Sequence, residues 1–189
     1  IMLQTYFEAV ERYETVAKLP VQGIGLDLVH GLEGNLQSLE RFGFPQDKIA
    51  GIGLIDGRNI WLSDYKDKLK LIDRLSAWIP KERMWLQTSC SLLHVPVSAV
   101  GETKLPEELR EALSFAEEKL EELAFLSRAA AGTNAESEPV RRTLQDNAGR
   151  LSRLAQSEAR NRKAADAEAV AAQPSARKSP FAQRQRLQA

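Results

Sequence analysis

The sequence has almost no cysteine and no long apolar run. Cys90 is the one cysteine in 189 residues, which excludes an internal disulfide framework and a CxxC zinc site. No stretch approaches the ~20 consecutive apolar residues of a membrane-spanning helix, and no basic segment precedes an apolar one at the N-terminus. We therefore predict a cytoplasmic protein without a membrane partner.

The chain also lacks net charge, since Lys plus Arg and Asp plus Glu number 26 each. No overall field draws it towards nucleic acid, which we predict is not a partner. From Thr133 onwards, however, eleven Lys or Arg stand against six Asp or Glu. These arginines could meet phosphates, but they are interleaved with acids and lack aromatic platforms, which favours a solvated helix face.

A strand and helix pattern recurs along the first two thirds of the chain. Apolar runs at residues 21–29, 50–55 and 83–88 predict buried strands, each followed by a polar turn. A partial unit, with a strand at residues 3–7 and a short helix to Lys18, precedes them. Helices are predicted from Leu36, Leu39 and Phe42, from Leu69, Ile72 and Leu75 within residues 64–78, and over residues 106–131.

The strand spacing predicts an α/β fold. The three strands start 29 and 33 residues apart, and a (β/α)8 barrel of about 250 residues allots roughly 31 to each unit. A doubly wound sheet fits the same spacing, but the GxGxxG turn of dinucleotide sites is missing. We predict a partial (β/α)8 barrel of about three and a half units, truncated because Ile1 and Met2 already lie in a strand. Its outer strands need neighbours from missing sequence or another chain.

The last third of the chain differs in composition and predicts a different organisation. Residues 1–132 form the predicted barrel segment, residues 133–172 a linker with one amphipathic helix, and residues 173–189 a flexible tail rich in Pro, Ser and Gln. The apolar stripe of the linker helix comprises Val140, Leu144, Ala148, Leu151 and Ala155.

Polar side chains follow each predicted strand, where barrel enzymes carry their working residues. For the turn after the second strand two interpretations stay open. The turn could be a cap in which Asp56 accepts backbone N–H bonds and pairs with Arg58, or Arg58 could hold a ligand carboxylate bidentately in a cleft. The candidates are Asp27 and His30, then Asp56, Arg58 and Asn59, then Ser89, Cys90, Ser91 and His94.

Metal binding and nucleophilic catalysis are weaker hypotheses. Cys90 and His94 are four residues apart and, with His30, could offer zinc a trio of ligands. Pro96 argues against a regular helix there, and a buried structural cysteine is more common. A Cys-His nucleophilic pair has no evident orienting group. The tryptophans are predicted to pack, although Trp61 could stack on a pterin ring.

Three strand-end motifs resemble those of cobalamin-independent methionine synthase. They are residues 19–31 (LPVQGIGLDLVHG), 53–61 (GLIDGRNIW) and 85–97 (WLQTSCSLLHVPV), and they follow the order and spacing of the family. The resemblance continues at residues 102–105 and 115–123 (FAEEKLEEL), and residues 179–182 look like the linker ahead of the second barrel of the family.

The resemblance implies two face-to-face barrels, with this chain forming the later part of the N-terminal barrel and the inter-domain linker. It implies transfer of a methyl group from 5-methyltetrahydropteroyl-polyglutamate to homocysteine, giving methionine, with zinc activating the thiol. The zinc ligands would lie in the absent second barrel. The implied partners are the remainder of the first barrel and the C-terminal catalytic barrel. Cys90 resembles, by duplication, a zinc-binding cysteine and is expected to be a relic.

The predicted function is therefore that of a methyltransferase segment, inactive alone, which acts as scaffold and folate-side support. No catalytic or metal-binding residue is expected in it. The alternative is a non-catalytic module that binds a small anion or folate, and a third hypothesis is an interaction protein that uses the helix at residues 138–172. The expected substrate-binding residues are Asp56, Arg58, Asn59, Ser89 and His94.

Overall fold

A parallel sheet of four strands forms the centre of the computed structural model, which describes residues 1–132 and 137–161. Consecutive strands are neighbours, so their C-terminal ends all lie at one edge of the sheet. The strands are β1 (Met2–Gln4), β2 (Gly23–Asp27), β3 (Ile49–Ile55) and β4 (Met84–Thr88). The helices are α1 (Tyr13–Ala17), α2 (Leu32–Phe42), α3 (Tyr65–Leu75), α4 (Glu107–Arg110), α5 (Ala116–Ala130) and α6 (Glu138–Gln156), with short 3-10 helices at Lys81–Arg83, Leu92–His94 and Ala99–Gly101.

The predicted α/β class and the alternation of strands and helices are confirmed. The strand order shows no reversal among the four described strands, whereas a doubly wound sheet reverses its order at a switch point. The arrangement is consistent with a partial barrel, and its membership of an eight-stranded barrel stays a prediction. So does the division of the chain at residues 132 and 172.

The core lies between the sheet and its helices. Side chains alternate across a strand, so every second residue of β2 and β3 points to the helices. Those positions are apolar and fully buried, and they pack with Leu39 of α2, Leu75 of α3 and Leu126 of α5. The strand residues are Ile24, Leu26, Ile52 and Leu54.

Glycines occupy the opposite face of the two central strands. Gln4 of β1 and Gln87 of β4 meet over this face, with Gln87 Nε2 donating to Gln4 Oε1 at 2.7 Å. A Cβ on Gly25 would collide with the Gln4 amide, and one on Gly51 would lie 2.9 Å from Gln87 Oε1. The missing side chains therefore allow the outer strands to contact each other across the sheet, which must curve for them to do so.

Two aromatic residues expected to be buried lie at the surface. Phe42 ends α2 with 46% of its area exposed, and its ring stacks on Tyr13 at 6.2 Å between centroids. Trp85 is 60% exposed because it pairs with Gly51 in register and so lies on the glycine face, opposite the face that packs on the helices.

The predicted continuous helix over residues 106–131 is wrong, because it is interrupted between α4 and α5. The backbone there pairs with the segment that precedes α3. Leu62 N donates to Ala112 O at 2.9 Å, and Ser114 N donates to Ile60 O at 2.8 Å. Tertiary hydrogen bonding thus overrides helix propensity in residues 111–115.

The predicted stripe of α6 is wrong in part. Ala148 and Ala155 are exposed, whereas Asn147 and Leu154 are buried against α3 and α4. The buried amide of Asn147 accepts from Tyr65 N at 3.1 Å, which fixes the start of α3. A polar residue therefore occupies a position that an apolar pattern does not reveal.

Part of the predicted linker helix and all of the predicted tail, residues 162–172 and 173–189, lie outside the described residues. Within the described ranges, no helix is both long and apolar enough to cross a membrane.

Gly53→Ala should lower the free energy of unfolding by about 1–3 kcal/mol, as overpacked sites do. The new Cβ would lie 2.6 Å from Leu26 O and 3.1 Å from Ser89 Cα, and both are backbone atoms. Urea denaturation measures the change. Gly101→Ala is the control, since among the described residues nothing beyond its own chain neighbours lies within 4 Å of the added Cβ. Equal losses in both variants would contradict the prediction.

Candidate functional site at the strand ends

The turn after β3 is organised by the carboxylate of Asp56. Its Oδ1 accepts from Arg58 N and its Oδ2 from Asn59 Nδ2, both at 2.8 Å. His30 Nε2 lies 3.7 Å from the same Oδ1. Asp56 therefore accepts a backbone N–H bond, as the cap interpretation expects. Among the described residues, however, no ion pair joins Asp56 to the guanidinium of Arg58.

Arg58 packs instead against an aromatic residue from the loop that follows β1. Its Cζ lies 5.0 Å from the centroid of the Phe7 ring, a cation–π distance. The ring of Phe7 is also 6.3 Å from that of His94, so it lies beside residues from two other loops. Tyr6 meets Phe7 edge to face at 5.0 Å. The site thus combines an exposed cation with aromatic surfaces.

The backbone of Phe7 adopts a φ of 80°, which is uncommon for a residue with a side chain. The carboxylate of Asp27 holds it there, because Phe7 N donates to Asp27 Oδ2 at 2.8 Å. Asp27 Oδ1 accepts from Val29 N at 2.8 Å and from His30 N at 2.9 Å. Asp27 is fully buried, so it orders two loops and does not face the cleft.

Ser89 and Cys90 are buried at the end of β4. Ser89 Oγ accepts from Gly57 N at 3.2 Å, which links this loop to the Asp56 turn. Cys90 Sγ donates to Ser91 O at 3.7 Å, and burial raises the pKa of the thiol. A thiol held in this form is a poor nucleophile and a poor metal ligand.

The zinc trio considered from the sequence does not form. Among the described residues, no three His, Cys, Asp or Glu side chains are grouped so that they could hold a metal ion. The raised pKa of Cys90 also disfavours the thiolate that zinc binds. The residues present therefore do not fit zinc, and the relic interpretation of Cys90 stays a prediction.

Helix α5 supports the Asp56 turn from within the fold. Lys119 and Glu122 are buried there one helical turn apart. Lys119 Nζ donates to Trp61 O at 3.3 Å, and Glu122 accepts from Ser63 N at 3.0 Å. Since Trp61 packs against the buried cluster of Leu109, Ala112 and Leu154, it is a packing residue in this fold.

The expected site residues are brought together only in part. One turn contains Asp56, Arg58 and Asn59. The ring of Phe7 lies between Arg58 and His94. Ser89 is buried and accepts a hydrogen bond from Gly57 of the same turn. Tyr6 and Phe7 were missed, although the strand-end rule applies equally to β1. Lys119 was missed because a charged residue within a helix predicts an exposed position.

Comparisons with known proteins place the sequence beside one family of enzymes. A family profile described as the cobalamin-independent synthase N-terminal domain matches residues 1–80. A protein of Halalkalibacterium halodurans is 50% identical over 157 residues, 83% of this chain and 20% of the relative. One of Bacillus cereus is 41% identical across 100% of this chain, or 25% of its own length. Both are named 5-methyltetrahydropteroyltriglutamate–homocysteine methyltransferase.

The chain belongs to the cobalamin-independent methionine synthase family. The resemblance drawn from the strand-end motifs is thereby confirmed. The chain spans about a fifth to a quarter of the length of these methionine synthase relatives. The methyl transfer for which the full-length relatives are named is therefore a proposal for this chain.

Asp27→Asn should lower the free energy of unfolding by about 2–3 kcal/mol, because an amide keeps one acceptor oxygen and turns an NH2 group towards buried N–H donors. Hydrogen exchange at Phe7 N should accelerate together with the loss. Asp73→Asn is the control, since the Asp73 carboxylate is 70% exposed and only pairs with Lys81. A change within about 0.5 kcal/mol is expected there. Similar values for both variants would refute the role of Asp27.

The thiol of Cys90 should react slowly with iodoacetamide. Its raised pKa means that less thiolate is present at about pH 8 than in an exposed cysteine, and the rate should rise as pH increases. We expect alkylation at least about tenfold slower than in the urea-unfolded chain. Equal rates in the folded and unfolded chains would show that the thiol is neither buried nor shifted.

Proposed function

We propose that this chain is a segment of a methyltransferase that moves a methyl group from 5-methyltetrahydropteroyltriglutamate to homocysteine. Its family and the names of its relatives support the reaction class. Within such an enzyme the segment supplies a curved wall and the folate-side strand ends. The open edges of β1 and β4 would pair with the remainder of a barrel.

The observation that carries the folate-side role is the exposed Arg58 guanidinium beside Phe7. A planar guanidinium binds carboxylates bidentately, and the triglutamate tail carries several of them. Tyr6 and His94 add flat surfaces next to it. Asp56 and Asn59 fix the backbone of Arg58, so the cation is presented from a rigid turn.

Activation of the homocysteine thiol falls to other parts of the enzyme in this proposal. Zinc supplies thiolate formation when it is bound, but the described residues do not offer it a suitable donor set. The partners are therefore the rest of the first barrel and a second, catalytic barrel. We assign the protein to the cytoplasm, without nucleic acid or membrane as a partner.

The alternative is a module that binds small anions without taking part in methyl transfer. It is favoured by the same guanidinium, since none of the ion pairs among the described residues includes Arg58. Such a module would bind citrate or phosphate as tightly as the folate tail.

Arg58→Ala should weaken the binding of 5-methyltetrahydropteroyltriglutamate to the full chain by about tenfold or more, the value of a charge-assisted hydrogen bond. Isothermal titration calorimetry measures the dissociation constant. Arg74→Ala is the matched control, since this exposed arginine lies in the last turn of α3, away from the strand-end site.

No saturable binding, or equal weakening by both variants, would contradict the folate-side role. Citrate binding as tight as that of the folate would favour the alternative. Methyl transfer by the chain alone would contradict the supporting role, because the proposal assigns thiol activation to other parts of the enzyme.

A further inference from the structure

A lysine ammonium lies fully buried beneath the Asp56 turn. Lys119 on α5 is 0% exposed, and no carboxylate within the described ranges lies within ion-pair distance of its Nζ. Its hydrogen bonds go to two neutral oxygens, Trp61 O at 3.3 Å and Asn59 Oδ1 at 3.5 Å. Burying a charge without a direct counter-ion is costly, so such an arrangement is rare.

The ammonium and the backbone N–H of Trp61 together determine which way the Asn59 amide faces. Trp61 N donates to Asn59 Oδ1 at 2.9 Å, and Lys119 Nζ approaches the same oxygen. Both groups are donors only, so the oxygen must face them and the NH2 group must face away. The NH2 group then donates to Asp56 Oδ2 at 2.8 Å. One amide thus connects a buried cation to the carboxylate that holds Arg58 N.

The surroundings of Lys119 favour this polarised arrangement. The charged groups that face it are Glu122 on its own helix, Asp56 in the turn and Lys68 on α3. Burial lowers the pKa of Lys119, the two carboxylates raise it, and Lys68 lowers it further. Lys68 is itself half-buried, and burial lowers its pKa as well. Hydrogen bonds that share a group, as those of Lys119, Asn59 and Asp56 do, polarise one another.

We propose that Lys119 is a positioning residue of the strand-end site, which orients Asn59 and through it the Asp56 turn that presents Arg58. The identity of the ligand that binds this turn rests on the proposed function, but the positioning of Asn59 by Lys119 does not. Lys119 does not touch the ligand. Its effect is to reinforce the amide orientation that Trp61 N also requires, so that Asp56 accepts from both Asn59 and Arg58 N.

The wild-type chain provides a test without substitution. NMR of the labelled chain follows the Lys119 side chain and the Asn59 NH2 signal as pH rises. Because the pKa of Lys119 is lowered, both signals should change together below the usual range of lysine. An Asn59 signal that stays constant while Lys119 loses its proton would overturn the proposal.

A substitution tests the same link at neutral pH. Lys119→Met removes the ammonium at similar volume, and hydrogen exchange at Arg58 N should become about tenfold faster. Lys70→Met is the control, since this exposed α3 lysine pairs only with Asp67 at 2.9 Å. Unchanged exchange in a folded Lys119→Met chain, or equal acceleration in both variants, would overturn the proposal. If the variant unfolds, the wild-type titration decides.

Binding of 5-methyltetrahydropteroyltriglutamate separates this inference from the proposed function. Lys119→Met should raise the dissociation constant about tenfold, and the affinity of the wild type should fall at high pH as Lys119 loses its charge. A wild type that binds no folate but shows the coupled titration contradicts only the proposed function. A wild type that binds folate but shows no coupling contradicts only the role of Lys119.

Discussion

The buried carboxylate of Asp27 is the interaction on which the strand-end region depends. It accepts three backbone N–H groups from the loops after β1 and β2, and α2 adds Asn35, whose Nδ2 donates to Asp27 O at 2.8 Å. Without this carboxylate, no hydrogen bond from Asp27 would stabilise the unfavourable left-handed backbone of Phe7. The aromatic surface beside Arg58 therefore originates in a residue that never reaches the solvent.

A second set of buried polar groups fixes the loop after β3. Lys119 and Glu122 of α5 and Asn147 of α6 bind successive parts of the segment between Asp56 and Tyr65. Each group is costly to bury, and its hydrogen bonds offset that cost only if the loop keeps one conformation. Helices that contribute nothing to the surface of the site therefore control its geometry, which suits binding by a preorganised turn.

The sequence predicted most of the fold and less of the site. Hydrophobic runs located β2 and β3 because buried parallel strands carry few polar residues on either face. The run at β4 was also recognised, although that strand is only partly buried and exposes Trp85. The Asp56 turn was found because its residue types act locally. The inward orientation of the Asp27 side chain and the burial of Lys119 depend on contacts with elements distant in sequence, so no local pattern predicts them. The break before α5 arises in the same way, from pairing with residues near Trp61.

The amide pair over the glycine face has a consequence for folding. Gln4 and Gln87 are 83 positions apart, yet they touch. Two complete strand and helix units must be in place before the pair can form, because β2 and β3 lie between its strands. Contacts of such long sequence separation carry a large loop-closure entropy and form late. We therefore expect the Gln4–Gln87 pair to form late in folding, after the local helices.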